Sequence, residues 1–169
     1  EEIARQCKLL GININFAPVV DINSNPKNPI INNRSFGEDV KNVSSLSLAY
    51  MQGLQDNNIL ACAKHFPGHG DTDKDSHKTL PVIKHSKYRL KKVELKPFEY
   101  LIENGLGSIM TAHLYIPSLD TTDRTPISLS ENVVTGLLSK EMGFNGLKFT
   151  DGLNVKAVSD LYDPGELDV

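Results

Sequence analysis

The centre of the sequence holds one informative stretch, in which a short apolar run passes directly into a polar loop: Ile59-Leu60-Ala61-Cys62-Ala63, then Lys64-His65-Phe66-Pro67-Gly68-His69-Gly70-Asp71-Thr72-Asp73-Lys74-Asp75-Ser76-His77-Lys78-Thr79-Leu80-Pro81. The apolar run has the length and composition of a buried β-strand. The loop carries three histidines and three aspartates within thirteen residues. A loop that only connects two elements rarely needs so many titratable groups, whereas a catalytic loop does. The stretch therefore predicts a parallel α/β fold with a catalytic loop after this strand.

Spacing alone leaves two other interpretations of this loop open. One is a solvated polar connection, and the other is a metal site built from His65, His69 and His77 with Asp71, Asp73 or Asp75. The pair His65 and His69 would suit a metal if it lay on a helix, but Pro67-Gly68 between them prevents a helix there. Spacing alone leaves the metal site open, whereas our prediction from the whole sequence is no metal and no cofactor.

Composition excludes several classes of protein. The 169 residues are 39% hydrophobic, as in a globular domain, and the formal charge of −3 with a pI near 5.9 leaves no basic patch for nucleic acid. No apolar run approaches membrane-spanning length. The two cysteines, Cys7 and Cys62, fall in predicted core positions and indicate no disulfide scaffold.

The beginning of the chain leaves the compartment unknown. The sequence starts at Glu1 without a methionine and already within a predicted helix, so we expect the true N-terminus to be missing. Bacterial cytoplasm and periplasm both stay open.

Alternating patterns predict about four β-then-α units. Strands are expected at 12–20, 59–64, 107–111 and 146–150, and helices at 1–10, 39–57, 87–104 (broken or started at Pro97) and after Ser130, with a short helix at 154–160. Alternation of this kind predicts a parallel sheet covered by helices. Four units are half of a (β/α)8 barrel, with an open doubly wound sheet as the alternative from pattern alone.

Polar residues recur at the C-terminal ends of the predicted strands. They are Asp21, Lys64-His65, Thr111 with His113, and Asp151. A single strand-end aspartate often only caps the next helix. In a barrel, however, these ends meet at one mouth, so the four positions together predict a single pocket.

The motifs resemble those of glycoside hydrolase family 3, in particular its bacterial β-N-acetylglucosaminidase branch. The most specific is Lys64-His65-Phe66-Pro67-Gly68-His69-Gly70 followed by Asp75-Ser76-His77 and Pro81. Four others occur in the order found in the family: Asn15-Phe16-Ala17-Pro18-Val19-Val20-Asp21, Asn33-Arg34-Ser35-Phe36-Gly37, Ile109-Met110-Thr111-Ala112-His113, and Phe149-Thr150-Asp151-Gly152-Leu153. They span nearly the whole chain.

The resemblance implies a (β/α)8 TIM-type barrel of which residues 1–169 form the third to sixth strand units, incomplete at both ends. It implies a retaining mechanism in which Asp151 is the nucleophile and His77 is the acid/base, with Asp75 as the partner of His77. It also implies that Arg34, Lys64 and His65 bind the sugar hydroxyls, and that His113 lies near the site. The missing barrel strands would come from the rest of the parent chain.

The implied activity is removal of terminal β-linked N-acetylglucosamine from cell-wall muropeptides or related glycans. A β-glucosidase or xylosidase of the same family is the nearest alternative, and the Asp75-Ser76-His77 motif argues against it. A histidine acid/base also leaves phosphorolysis open. The alternative from another class is a non-catalytic sugar-binding barrel fragment.

Overall fold

The computed structural model describes residues 1–72 and 79–161. Four strands form one sheet: β1 (Ile14–Asn15), β2 (Leu60–Phe66), β3 (Ser108–Thr111) and β4 (Leu147–Thr150). The α-helices are α1 (Glu2–Leu9), α2 (Val40–Gln55), α3 (Lys87–Lys92), α4 (Lys96–Glu103) and α5 (Lys156–Ser159), with 3-10 turns at Asn32–Arg34 and Ile127–Leu129 and a π-helix at Asn132–Glu141.

All neighbouring strands are parallel and lie in sequence order, β1-β2-β3-β4. In a doubly wound sheet the strand order reverses at a switch point, whereas in a barrel each strand is added beside the previous one. The described strands show no reversal. The fold is therefore α/β of the TIM-barrel type, as predicted, and the carboxyl ends of its strands share one edge.

Curvature of the sheet brings its outer strands together. The ring of Phe16, just after β1, lies 5.2 Å from that of Phe149 on β4, at an interplanar angle of 67°. Three flat strand spacings would separate these strands by about 14 Å. The edge-to-face contact therefore lies on the concave side of the sheet, where the interior of a barrel would be.

The core lies between the sheet and its covering helices. Helix α2 begins where the Asp39 carboxylate accepts a hydrogen bond from the amide of Asn42 at 2.9 Å, and it buries Val43, Met51 and Leu54. Helix α4 packs beside it, and Phe98 meets Phe66 of β2 with ring centroids 5.2 Å apart. Burial of each such side chain contributes about 1.5–3 kcal/mol. The core thereby fixes β2, which carries the central motif.

The first strand is shorter than predicted. We expected residues 12–20, but β1 covers only Ile14–Asn15, with one isolated bridge between Val19 and Lys64. Pro18 has no N–H to donate to a strand ladder, and the Ala17 amide bonds back to the Asn15 carbonyl at 2.8 Å. The segment after β1 still pairs irregularly with β2, because the amides of Cys62 and Lys64 donate hydrogen bonds to the carbonyls of Ala17 and Pro18.

Helix boundaries follow the sequence signals closely. The predicted helix at 87–104 is two helices, separated at residues 93–95, and Pro97 lies in the first turn of α4, where its missing N–H costs nothing. Ser130 accepts a hydrogen bond from the Val133 amide at 3.2 Å, and Gly143 has φ +72 just after the π-helix. None of the described helices is long and apolar enough to cross a membrane.

Candidate active site

A buried carboxylate organises the start of the central motif. Asp21 is fully buried, and its Oδ2 lies 2.8 Å from Nδ1 of His65. Its oxygens also accept hydrogen bonds from the His65 amide at 3.2 Å and from the His69 amide at 2.7 Å. Burial opposes ionisation of Asp21, but the neighbouring His65 and His69 outweigh it and hold the pKa of the carboxyl below its ordinary value. One carboxylate thus holds both ends of the segment His65–His69.

Lys64, a predicted sugar ligand, lies near both Arg34 and the predicted nucleophile Asp151. Its half-buried ammonium has a lowered pKa, first because of burial and then because of the like charge on Arg34, while Asp151 acts in the opposite direction. Arg34 itself is exposed in a 3-10 turn, and its guanidinium donates to the Ile30 carbonyl at 3.2 Å. Arg34 and Asp151, which are far apart in sequence, are therefore both close enough to Lys64 to influence its pKa.

Asp151 directly follows β4 and is partly accessible. Its amide donates to the Thr111 carbonyl at 3.0 Å, which continues the ladder with β3, and its Oδ1 accepts from the Gly152 amide at 2.8 Å. Its carboxylate influences the pKa of Lys64, His69 and His113. A carboxylate at a strand end, close to a cation and open to solvent on one side, has the surroundings that a nucleophile needs.

His113 is buried, and both of its ring nitrogens are engaged by protein atoms. Nδ1 lies 2.7 Å from Oγ of Ser128, and Nε2 lies 3.2 Å from the carbonyl oxygen of Gly152. Burial lowers its pKa, an effect that nearby Asp151 partly offsets. A hydrogen bond from this ring to a sugar would cost one of the two existing contacts, so its part in sugar binding stays a prediction.

The second half of the loop is fixed by buried polar contacts. Nδ1 of His69 lies 2.7 Å from the Thr72 hydroxyl, and the Asn28 side chain donates to the His69 carbonyl at 2.7 Å. A Cβ on Gly70 would overlap the Ile22 carbonyl, so only glycine fits at this position. The loop is therefore tied to the segment after β1 along its described length.

The loop is also held near residue 71. The Asp71 carboxylate makes a close contact with Nε2 of His85, and the two side chains are a little over a quarter exposed. His77 and Asp75, the predicted acid/base and its partner, lie outside the described residues. Their predicted roles therefore stay predictions.

The described part of the site thus contains Asp151, Lys64, His65 and His113, with Arg34 at its edge. Among residues 1–72 and 79–161, no group of three His, Cys, Asp or Glu side chains is arranged to hold a metal ion. The sequence drew attention to Asp21 as a strand-end residue but gave it no role, and it gave no signal for Asn28 or Ser128. Hydrogen bonds between segments distant in sequence define all three.

Residues 1–168 match the family described as "Glycosyl hydrolase family 3 N terminal domain". Beta-hexosaminidase A of Pseudoalteromonas piscicida is 41% identical over 172 residues, covering 96% of this chain and 29% of that protein. A beta-hexosaminidase of Neisseria meningitidis serogroup C is 35% identical over 154 residues, covering 91% of this chain and 42% of that protein.

A solved structure is also similar along almost the whole chain. The glycoside hydrolase family 3 beta-N-acetylglucosaminidase from Paenibacillus sp. str. FPU-7 superposes with a TM-score of 0.92 at 44% identity, covering 95% of this chain and 30% of that one. The present chain therefore spans less than half the length of the relatives named here.

Proposed function

Because this chain belongs to glycosyl hydrolase family 3, we propose that the whole protein is a retaining exo-glycosidase that removes terminal β-linked N-acetylglucosamine. The relatives named as beta-hexosaminidases and as a beta-N-acetylglucosaminidase support this sugar. Cell-wall muropeptides or related glycans are the proposed source of the terminal residue.

The observation that carries the proposal is the position of Asp151. It follows β4, is partly accessible, and lies close enough to half-buried Lys64 to influence the pKa of that ammonium. In the proposed first step, Asp151 attacks the anomeric carbon through an oxocarbenium-like transition state and forms a covalent glycosyl-enzyme. The attack uses the carboxylate oxygen as the nucleophile, and the Lys64 side chain lies in the same part of the site.

His77 supplies the proton in this scheme. It protonates the departing glycosidic oxygen in the first step and removes a proton from the attacking water in the second. The imidazole suits both tasks because its ordinary pKa lies near neutral pH. Asp75 orients the ring and favours its charged form. Support for these two roles comes from the Asp75-Ser76-His77 motif.

Sugar hydroxyls are bound in this proposal by Arg34, Lys64 and His65, whose side chains offer hydrogen-bond donors. His113, which contacts the Gly152 carbonyl next to Asp151, is proposed to lie beside the bound sugar. Recognition of the ring by several charged donors would favour one orientation of the sugar, with its anomeric carbon before Asp151.

Further strands would complete the barrel around this site. Apolar side chains are exposed at both outer strands, with Phe16 beside β1 at 46% and Leu147 of β4 at 53%. We propose that strands from the rest of the whole protein cover them and complete the mouth in which the sugar binds. A non-catalytic sugar-binding barrel remains the alternative, in which the same pocket binds the sugar without turnover.

The test is hydrolysis of a chromogenic N-acetylglucosaminide by the whole protein, with the matching glucoside as the control substrate. Faster turnover of the N-acetylglucosaminide supports the proposal, and preference for the glucoside contradicts it. Binding of N-acetylglucosamine without cleavage of either substrate would favour the sugar-binding alternative. Inorganic phosphate should be added in a parallel reaction, since formation of a sugar 1-phosphate would make the enzyme a phosphorylase.

A further inference from the structure

Asp21 is the most deeply buried charged group of the site, and the proposed reaction gives it no role. No part of its surface is exposed, and its carboxylate is bonded to the ring and the amide of His65 and to the amide of His69. Burying a carboxylate costs desolvation energy, which the three hydrogen bonds from this loop offset. An aspartate that only stabilised a turn could do so at the surface without this cost.

The contact with the ring determines which nitrogen of His65 carries a proton. The pKa of Asp21 is lowered, since the two histidines outweigh the effect of burial, so its carboxylate is ionised and can only accept hydrogen bonds. At 2.8 Å, Nδ1 of His65 must therefore be the donor. Nε2 is then the ring nitrogen that Asp21 does not engage, and it is the one through which the ring could meet a sugar hydroxyl.

Asp21 also joins two loops that carry predicted sugar ligands. Its carboxylate holds the segment that begins at Lys64-His65, and its carbonyl oxygen accepts a hydrogen bond from the Ser35 hydroxyl at 2.6 Å. Ser35 follows Arg34 directly. The amide of Asn23, two residues after Asp21, donates a hydrogen bond to the Gly37 carbonyl at 3.0 Å. Asp21 therefore contacts both the segment that carries Arg34 and the segment that carries His65.

We propose that Asp21 is a positioning residue that holds the His65 imidazole with its proton on Nδ1 and presents Nε2 to a hydroxyl of the bound sugar. A neutral ring would accept a hydrogen bond from that hydroxyl through Nε2, and a charged ring would donate one. In both cases the carboxylate fixes the ring plane, so the sugar meets a preorganised partner. This inference rests on the proposed function in so far as His65 binds the sugar.

The first test is a double-mutant cycle on binding of N-acetylglucosamine to the whole protein, measured by calorimetry. Asp21→Asn should weaken binding by about 10–100-fold, by analogy with carboxylates that orient metal-ligating histidines. His65→Ala should weaken it as well. Because the effect on the ring requires His65, Asp21→Asn should weaken binding much less in His65→Ala than in the wild type, and the remaining loss would come from the amides of residues 65 and 69.

A matched control is Asp120→Asn. Asp120 is also a buried carboxylate, but it accepts hydrogen bonds from the Ser130 hydroxyl and the Thr122 amide, far from His65 in sequence. Its substitution should leave sugar binding unchanged. The proposal is overturned if Asp21→Asn weakens binding by the same factor with and without the His65 side chain, because its effect would then not pass through that ring. It is also overturned if Asp120→Asn weakens binding as much as Asp21→Asn does, because the loss would then be a general structural effect.

A second measurement needs no folded variant of Asp21. Imidazole ¹⁵N resonances of the wild-type whole protein, with His65 assigned by the signal lost in His65→Gln, report which nitrogen carries the proton. A protonated, hydrogen-bonded Nδ1 is expected whether the ring is neutral or charged. An unprotonated Nδ1 would overturn the proposal. If the protein neither binds nor cleaves N-acetylglucosaminides, the proposed function fails, while this measurement still decides whether Asp21 holds the ring.

Discussion

Nε2 of His113 lies 3.2 Å from the carbonyl oxygen of Gly152, the residue that follows Asp151. A carbonyl only accepts, so Nε2 carries a proton, while Nδ1 lies 2.7 Å from the Ser128 hydroxyl, which can donate or accept. The ring joins the loop after β3 to the backbone beside the proposed nucleophile. Burial lowers the pKa of His113 and so favours the neutral ring, in which Nδ1 accepts from Ser128.

Stability should depend on pH through His113. The folded pKa is lowered, so the unfolded chain takes up a proton first as pH falls below the ordinary histidine value of about 6.5. This contribution to stability is present above that pH and is lost on acidification toward the folded pKa.

Chemical unfolding of the wild type and of His113→Gln at about pH 7.5 and about pH 5.5 checks this expectation. The free energy of unfolding should fall more on acidification in the wild type than in the variant, because glutamine does not titrate. Equal decreases in both proteins would contradict a neutral, buried His113.

Asp151→Asn in the whole protein should abolish turnover but leave sugar binding measurable. The amide keeps the size of the side chain but cannot form the glycosyl-enzyme. Steady-state rates together with calorimetric binding of N-acetylglucosamine test both parts. If the rate falls by no more than about tenfold, which raises the barrier by only about 1.4 kcal/mol, Asp151 is not the nucleophile.

His77→Ala should slow substrates with poor leaving groups much more than activated aryl glycosides. A general acid contributes about 10²–10⁴-fold when the leaving oxygen needs a proton, and little when it does not. With the activated substrate, the glycosyl-enzyme should accumulate, because the same histidine activates water. Mass spectrometry of the quenched reaction detects it. Equal slowing of both substrates would assign His77 to binding or structure instead.

Gly70→Ala should disrupt the loop of the central motif. The added methyl group would overlap the Ile22 carbonyl, and the backbone must move to admit it. A loss of about 1–3 kcal/mol in unfolding free energy is expected, together with weaker sugar binding.

Gly136→Ala is the matched control for this change. The nearest atom to its added Cβ is the Glu131 carbonyl oxygen at 3.8 Å, an ordinary contact within the π-helix. Alanine there should be neutral or stabilise the protein by about 0.5–1 kcal/mol. If both substitutions changed the free energy of unfolding equally, the short distance between position 70 and the Ile22 carbonyl would not be the reason for a glycine there.

Local signals in the sequence determined the order of strands and helices, but not every strand end, since β1 stops at Asn15 and β2 continues past Lys64-His65 to Phe66. Ser130 and Gly143 mark the ends of one helix by capping chemistry that acts within a few residues. The same local reasoning placed Asp151 and Lys64-His65 at one edge, because parallel strands align their carboxyl ends. The motifs also identified the family from sequence alone, because each motif is a contiguous stretch of residues.

Only the tertiary structure decided which partners these residues have. Asp21 and His65 are 44 residues apart, and their contact depends on the register of the chain at Val19 against Lys64. The tautomer of His113 depends likewise on Ser128 and on Gly152, 39 residues away. The early end of β1 follows from the way the segment around Pro18 pairs with β2. Strand register and buried hydrogen bonds arise from packing of the whole sheet, so no short stretch of sequence encodes them.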